Sequence, residues 1–169
     1  MITEPLAKPM SPSVSTGPPD TIAAMSIVPD ALVIEIDHVG VAVPDLDAAI
    51  AFYAQAFGFR AMHEEVNEEQ GVREAMLAVG DHDWLQLLAP LSPDSPIGKF
   101  IDRSGPGIQQ MAYRVHDVRA VAEHLRGVGV RVLYDEPKIG TAGSLVNFAH
   151  PKDCGGVLIE LVQQADAHH

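Results

Sequence analysis

The chain carries an internal repeat, and this repeat limits the folds that it can adopt. Ile36–Asp45 aligns without a gap on Ile108–Asp117, and Trp84–Leu88 aligns on Leu158–Val162. Such a duplication predicts two similar half-domains related by a pseudo-two-fold axis. Each aligned pair of strands also matches one polar position with another. The matched polar residues are His38 with Gln110 and Gln86 with Glu160.

Each copy of the repeat predicts one strand, one helix and three further strands. A run rich in Val and Ile over residues 32–43 predicts the first strand, and Asp45 is suited to cap a helix that ends at Gly58. The second copy follows the same order, with Asp117 as its helix cap and Gly129 at its end. The other predicted strands cover residues 59–66, 71–79 and 82–89 in the first copy and residues 107–115, 130–134, 144–149 and 156–163 in the second.

The sequence thus predicts an α+β fold of two βαβββ modules, whose eight strands form a curled mixed sheet around a central cleft. The first module covers residues 33–90 and the second covers residues 107–164, with a proline-containing linker at 91–106. Residues 1–32 are predicted to be a disordered tail, because most of this segment is rich in Pro, Ser and Thr and offers little apolar surface to bury. Residues 165–169 form a short C-terminal tail.

Net charge and cysteine content limit the classes of partner and the cellular compartment that we expect for this chain. The formal net charge of −12 argues against nucleic acid and anionic membrane surfaces as partners, because both are recognised by lysine and arginine. No apolar run is long enough to span a bilayer. A single cysteine, Cys154, cannot form an intrachain disulfide, which is typical of a cytoplasmic protein.

The four matched polar side chains predict one metal site where the two halves meet. Imidazole, carboxamide and carboxylate groups all bind divalent cations, and the repeat puts them on the first and last strands of each module. Glu160 is the strongest indication, because a carboxylate between Ile159 and Leu161 is costly to bury without a partner. The alternative for Glu160 and Gln86 is a strand with one solvated face, and the alternative for His38 is a hydrogen-bonded core histidine or a surface histidine.

Glu74 has no carboxylate counterpart in the repeat, since it aligns with Phe148. It lies on a middle strand of the first module. An unmatched carboxylate near a metal site is suited to proton transfer. The alternative is that Glu74 is exposed and pairs with Arg73.

Several short stretches resemble a known family. They are Ile36–Val39, Asp135–Lys138, Gly140–Thr141, Asn147–Phe148, His150–Lys152 and Gly156–Leu161. Together they resemble the methylmalonyl-CoA epimerases of the vicinal oxygen chelate superfamily, which also contains glyoxalase I, extradiol dioxygenases and bleomycin-resistance proteins. The resemblance covers residues 34–164, and its part from Asp135 to Lys152 is the most specific to the epimerases.

This resemblance implies a ligand set for the metal and a catalytic base. The family binds a divalent cation through His, Gln, His and Glu, and His38, Gln86 and Glu160 match three of these positions. Gln110 stands where the family has its second His. The base corresponds to Glu74, in a Glu-Gln-Gly-Val-x-Glu context that this chain keeps. The implied cation is Co²⁺, Mn²⁺, Mg²⁺ or Zn²⁺, and the amide oxygen of Gln110 favours the harder ions Mn²⁺ and Mg²⁺.

The resemblance also implies the reaction and the partners. Removal of the C2 hydrogen of a methylmalonyl thioester gives an enolate, which a metal stabilises while Glu74 takes the proton. Return of a proton to the other face inverts C2, from Ser144, from Asn147 or from a held water. The expected substrate is an acyl-CoA, and family members commonly form homodimers. The candidate substrate residues are Lys138, Thr141, Ser144, Asn147 and Lys152, with Arg103 and Arg114 as further cations for the CoA phosphates.

Two other functions remain open from the sequence. One is a different lyase or isomerase of the superfamily that acts on a related acyl thioester, with Gln110 changing the outcome. The other is a metal-free small-molecule binding protein of the glyoxalase and bleomycin-resistance type. A glyoxalase I or an extradiol dioxygenase is disfavoured, because the former's specific motifs are missing and the latter needs two His and one carboxylate.

Overall fold

A computed structural model describes residues 32–165, so nearly all of the two predicted tails lies outside the described residues. Within that range the chain alternates strands with three α-helices, and two 3₁₀ turns cover Thr141–Gly143 and Pro151–Asp153. The strands are β1 (Val33–Ala42), β2 (Arg60–Asn67), β3 (Val72–Val79), β4 (His82–Pro90), β5 (Gly107–Val115), β6 (Lys138–Ile139), β7 (Leu145–Ala149) and β8 (Ile159–Gln163). The helices are α1 (Leu46–Phe57), α2 (Pro96–Ser104) and α3 (Val118–Gly127).

The described strands form one mixed sheet in the order β2-β3-β4-β1-β5-β8-β7-β6. The first strands of the two βαβββ units, β1 and β5, pair antiparallel at its centre. Each of them also pairs in parallel with the last strand of its own unit, β4 or β8. The predicted α+β fold with a curled eight-stranded mixed sheet is confirmed. This topology makes the four strands that carry the matched polar residues immediate neighbours.

Strand alternation directs those polar residues away from the helices. Leu85 and Leu87 pack in the core beneath α1, and Ile159 and Leu161 belong to the core beneath α3. Successive side chains of a strand point to opposite faces of its sheet. Gln86 and Glu160, which lie between these apolar residues, therefore point to the concave face, which is the face of the predicted cleft.

The helix ends follow the capping chemistry predicted from the sequence, with one difference. The Asp45 side chain accepts a hydrogen bond from the backbone N–H of Ala48 at 3.0 Å, and Gly58 adopts a φ of 72° at the C-terminus of α1. Asp117 caps α3 in the same way. However, α3 ends at Gly127, two residues before the predicted Gly129.

The strand predicted over residues 130–134 is wrong. In that segment only Val132 makes an isolated bridge, to Ala149, and the sheet edge is the two-residue β6. The Asn147 side chain accepts from the Tyr134 N–H at 3.2 Å and donates to the Tyr134 carbonyl at 2.9 Å. Backbone bonds to β7 continue only as far as Leu133. At Tyr134 the side-chain bonds of Asn147 take their place, and Pro137 has no N–H to resume the ladder.

No helix within residues 32–165 is both long and apolar enough to cross a membrane.

Candidate active site at the centre of the sheet

Five predicted site residues form a polar cluster on the concave face of the sheet. His38, Glu74, Gln86, Gln110 and Glu160 each expose 5% or less of their surface. The alternatives of a solvated strand face and an exposed Glu74 are therefore wrong. Buried polar groups need partners, so the contacts within this cluster determine what it can do.

One end of the polar cluster is a chain of three charged or ionisable groups. Nδ1 of His38 lies 2.8 Å from Oδ1 of Asp37, and Nε of Arg114 donates to Oδ2 of the same carboxylate at 2.8 Å. Neighbouring strand residues normally point to opposite faces, but the β1–β5 register shifts between Ile36 and His38. This bulge lets Asp37 reach the ring. Because Asp37 contacts Nδ1, Nε2 of His38 is the nitrogen that faces the cluster.

In the middle of the polar cluster, the Glu160 carboxylate lies between the imidazole of His38 and the amide of Gln110. Nε2 of His38 lies 3.1 Å from Oε2 of Glu160, close enough for attraction between charges but without hydrogen-bond geometry. Nε2 of Gln110 donates to the same oxygen of Glu160 and, at 3.2 Å, to Oε1 of Gln86. The two modules are thus joined by Gln86 from the first and by Gln110 and Glu160 from the second.

At its other end the polar cluster surrounds the carboxylate of Glu74. Nε2 of Gln86 donates to Oε2 of Glu74 at 3.1 Å and to Oγ1 of Thr141 at 2.9 Å. The Thr141 hydroxyl in turn donates to Oε1 of Glu74 at 2.6 Å. Glu65, opposite Glu74 across β2 and β3, accepts from the backbone N–H of Ala142. The loop after β6 is therefore attached to the first module beside Glu74.

The surroundings change the proton affinity of two members of the polar cluster. Burial would lower the pKa of His38, but its bond to Asp37 and the Glu160 carboxylate outweigh burial and raise the pKa to about 9. Burial raises the pKa of Glu74 to about 7; Glu65 and Glu160 add to this rise, whereas the hydrogen bond from Thr141 opposes it. A carboxyl group with a pKa near neutrality can both take and return a proton at physiological pH.

Removal of the Asp37 carboxylate by Asp37→Ala is expected to lower the pKa of His38 in the metal-free protein. Burial lowers this pKa, and one of the two carboxylates that raise it is then gone. In the unsubstituted protein, protonated His38 contributes stability fully below its ordinary pKa of 6.5, and this is lost as pH rises through about 9. In the variant this contribution to stability should be lost at a lower pH. Histidine ring titration by NMR measures the shift. Glu35→Ala, which removes a second carboxylate partner of Arg114, should leave the pKa of His38 unchanged.

The polar cluster adjoins a cavity of about 730 Å³ on the concave face. His38, Glu160 and Thr141 contribute to the cavity wall, and the remaining cluster residues lie within hydrogen-bond distance of Glu160 or Thr141. Met62 and Trp84 add apolar surface to the wall. A cavity of this size with a few converging polar groups is typical of a site for a small molecule.

The predicted substrate residues are divided between the cavity and the outer surface. Ser144 is buried on the cavity wall, and Thr141 contacts Glu74 as described. Asn147 is fully buried and uses its amide on the backbone of Tyr134 and Phe148. The remaining candidates are Lys138, which is paired with Glu69, Lys152 in a surface turn, Arg103 near the end of α2, and Arg114 on the cavity wall.

Three residues that support the polar cluster are missing from the sequence prediction. Asp37 is hidden because an acidic residue next to a strand His normally faces the other way. Glu65 is hidden because its pairing with Glu74 depends on the β2–β3 register. Gly40 lies opposite Gln110 on β1, where a Cβ atom would come within 2.5 Å of Cγ of Gln110. A glycine inside a strand pattern is the one signal that marks such a close approach.

The polar cluster has donors suited to a divalent cation. Within residues 32–165 no three His, Cys, Asp or Glu side chains converge as a metal site, so any cation would need the amides as well. The available donors are the imidazole of His38, the carboxylate of Glu160 and two amide oxygens. Nε2 of His38 is buried without a hydrogen-bond partner, as expected for a nitrogen that ligates a metal. The residues present therefore fit such an ion.

This fold and this site define the class of protein. Residues 37–148 match the family model described as Glyoxalase/Bleomycin resistance protein/Dioxygenase superfamily, and the chain belongs to that superfamily. Within it, the chain is a member of the methylmalonyl-CoA epimerase family. It is 39% identical over 129 residues to the human mitochondrial methylmalonyl-CoA epimerase, a match that covers 76% of this chain and 73% of that protein.

Solved structures agree with this assignment. The crystal structure of methylmalonyl-CoA epimerase from Mycobacterium tuberculosis has 52% sequence identity and a TM-score of 0.77, over 84% of this chain and 95% of that one. A point variant of Streptomyces coelicolor methylmalonyl-CoA epimerase in complex with 2-nitronate-propionyl-CoA has 50% identity and a TM-score of 0.77, over 81% of this chain and 99% of that one. The resemblance predicted from the short sequence stretches is therefore confirmed.

Proposed function

We propose that this chain inverts C2 of methylmalonyl-CoA, with Glu74 as the general base beside a divalent cation. The observation that carries this proposal is the position of Glu74: it is buried, its pKa is near 7, and Gln86 links it directly to the donors suited to a cation. The relatives whose names specify this reaction support the choice of substrate.

The proposed ligands are His38, Gln86, Gln110 and Glu160. When bound, the cation supplies the Lewis acidity that stabilises negative charge on the substrate's carbonyl oxygens. Asp37 orients the imidazole by holding Nδ1 of His38, so that Nε2 faces the other three donors. Because Mn²⁺ and Mg²⁺ prefer oxygen ligands, the two amides and one carboxylate favour these ions over Co²⁺ and Zn²⁺.

Glu74 has the environment that a base for a carbon acid needs. C2 of a malonyl thioester lies between two carbonyl groups, so its hydrogen is acidic enough for a carboxylate to remove. Thr141 and Gln86 hold the two oxygens of Glu74 in place by one hydrogen bond each. Such fixed orientation lowers the entropy cost of the proton transfer.

The proton must return to the opposite face of C2. Asn147 has both ends of its amide occupied by backbone groups, whereas Ser144 lies on the cavity wall. Of the two side chains predicted for this step, the hydroxyl of Ser144 is thus the better placed, and a water held by it is an equivalent source.

The rate of C2 hydrogen exchange is expected to rise with pH and then to level off, with a midpoint no higher than about 7. The base must be ionised to accept the proton, so activity is lost as pH falls through the pKa of Glu74. A bound cation would stabilise the ionised form and lower the midpoint further. A pH–rate profile of kcat at saturating methylmalonyl-CoA measures this midpoint, and a profile that falls between pH 6 and 8 contradicts it.

Exchange of the C2 hydrogen of methylmalonyl-CoA in deuterated water tests the proposed function. Protein is stripped with a chelator and then supplied separately with Mn²⁺, Mg²⁺, Co²⁺ and Zn²⁺. We expect exchange with at least one of these ions and none without them. Lack of exchange under every condition, together with ligand binding that survives Glu160→Ala, would instead indicate a metal-free binding protein.

Three further features belong to this proposal. The substrate is an acyl-CoA, whose phosphates Lys138, Lys152 and Arg114 could bind. The protein is a homodimer in a reducing compartment such as the cytoplasm, where its single cysteine would stay free. Light scattering of the purified full chain tests the dimer, and Lys138→Ala and Lys152→Ala test the phosphate contacts through KM.

A further inference from the structure

The amide of Gln110 is turned with its nitrogen towards the centre of the polar cluster. Its Nε2 donates one hydrogen bond to Oε2 of Glu160 and another, at 3.2 Å, to Oε1 of Gln86. These two acceptor oxygens also belong to proposed cation ligands. The NH₂ group therefore occupies the place between two ligand oxygens where a cation would be attracted.

The neighbours of Gln110 fix this orientation when no cation is bound. A half-turn of the amide would bring Oε1 of Gln110 against Oε1 of Gln86 and Oε2 of Glu160, three acceptors without a hydrogen between them. An amide nitrogen has no free lone pair for a metal, whereas an amide oxygen is a normal ligand for a hard ion. A divalent cation thus reverses the preference, because it needs the orientation that the metal-free cluster disfavours.

Gly40 leaves the space in which this amide lies. A Cβ atom at Gly40 would come within 2.5 Å of Cγ, 3.0 Å of Cδ and 3.2 Å of Nε2 of Gln110. Since these distances run along the whole side chain, Gln110 lies flat across the backbone of β1. The β1–β5 register also shifts between Gly40 and Val41, next to the point where Gln110 pairs with Gly40. The position of the amide therefore depends on strand pairing and not on flexible neighbours.

We propose that Gln110 is a two-state ligand: its amide nitrogen joins Gln86 to Glu160 in the metal-free protein, and its amide turns to present oxygen when a divalent cation binds. This inference rests on the proposed cation site. It implies that Gln110, Gln86 and Glu160 already hydrogen-bond to one another in the metal-free protein. Cation binding must first break the two hydrogen bonds of Gln110. The cation affinity is therefore lower than it would be if the same ligands were already oriented for the ion.

NMR of the unsubstituted full chain tests the turn directly. The side-chain amide signals of Gln110, assigned by their loss in Gln110→Met, are followed during titration with diamagnetic Mg²⁺ and then Zn²⁺. In the metal-free protein we expect slow hydrogen exchange and cross-peaks to the Hα protons of Gly40. At saturation both should be lost, because the NH₂ group leaves its two acceptors. The amide of Gln55, exposed on α1, should not change.

Two results would overturn the proposal. One is a Gln110 amide that keeps its slow exchange and its Gly40 cross-peaks in the cation-saturated protein. The other is failure of both ions to bind at millimolar concentration. Deuterium exchange into methylmalonyl-CoA is measured separately on the same protein, so epimerase activity with an unturned amide refutes this inference alone, and a turned amide without exchange refutes the proposed function alone.

A substitution gives a second, independent measurement. Gln110→Glu keeps the size of the side chain but offers oxygen in both orientations, and it adds a charged ligand. At pH 8 we expect Mn²⁺ affinity, measured by calorimetry, to rise about tenfold or more. Gln55→Glu adds the same charge at an exposed position. It should change Mn²⁺ affinity less than twofold, because salt screens a surface charge. Equal affinities in Gln110→Glu and the unsubstituted protein contradict the proposal.

Discussion

Glu74→Gln is expected to slow the exchange of the C2 hydrogen of methylmalonyl-CoA by about 100- to 10,000-fold. The amide has the size of the carboxylate but cannot accept a proton at neutral pH. Its oxygen can still accept the hydrogen bond from Thr141, so the loop after β6 keeps its contact with the first module. The measurement is deuterium incorporation at C2, followed by NMR or mass spectrometry in the presence of the preferred cation.

The loss must be shown to come from chemistry and not from the cation or the fold. Cation affinity should remain within a few-fold of the unsubstituted value, because Glu74 is not a proposed ligand. Glu123→Gln makes the same chemical change on the exposed side of α3 and should keep the full rate. Retention of more than about a tenth of the rate in Glu74→Gln would assign the base to another residue.

The repeat predicted which residues form the site, because the position of each residue along its strand can be read from the sequence. The antiparallel strands β1 and β5 pair Val39 with Met111, which are equal positions in the two copies, so the equal positions next to this pair lie close together. The apolar neighbours of Gln86 and Glu160 also predicted that these side chains face away from the helices. Convergence of His38, Gln86, Gln110 and Glu160 thus followed from a duplicated pattern, without knowledge of any distance.

The parts that the sequence left out depend on exceptions to that pattern. Asp37 reaches His38 only through a bulge, which inserts one residue in the register and has no residue-type signature here. The wrong strand at 130–134 is a similar case, since its residues have strand propensity but the Asn147 side chain binds the backbone of Tyr134. In both places a tertiary hydrogen bond overrides a local preference.

Gln86 joins the two chemical tasks of the site within one side chain. Its Oε1 faces Gln110 among the proposed ligands, and its Nε2 donates to Glu74. Attraction of this oxygen by a cation held at the proposed ligands would polarise the amide and strengthen its donation to the Glu74 carboxylate. Gln86 would then stabilise ionised Glu74, so the proposed ligands and the proposed base would act together.

Glu160→Gln is expected to weaken divalent-cation binding by about 100-fold or more and to abolish C2 hydrogen exchange at micromolar cation. Glu160 is the single carboxylate among the four proposed ligands, so its replacement leaves the ion with neutral donors alone. The substitution keeps the size of the buried side chain, which limits any change in packing. Calorimetry with Mn²⁺ gives the affinity, and circular dichroism checks the fold.

The matched control for this loss is Glu136→Gln, which removes a carboxylate that is largely exposed and pairs with Arg119 on the surface. Its cation affinity should be unchanged, because a screened surface charge contributes little to a buried site. If Glu160→Gln binds Mn²⁺ as tightly as the control, the cation is not held by this cluster. If it binds weakly but regains exchange at millimolar Mn²⁺, then Glu160 acts through the ion and Glu74 remains the group that moves the proton.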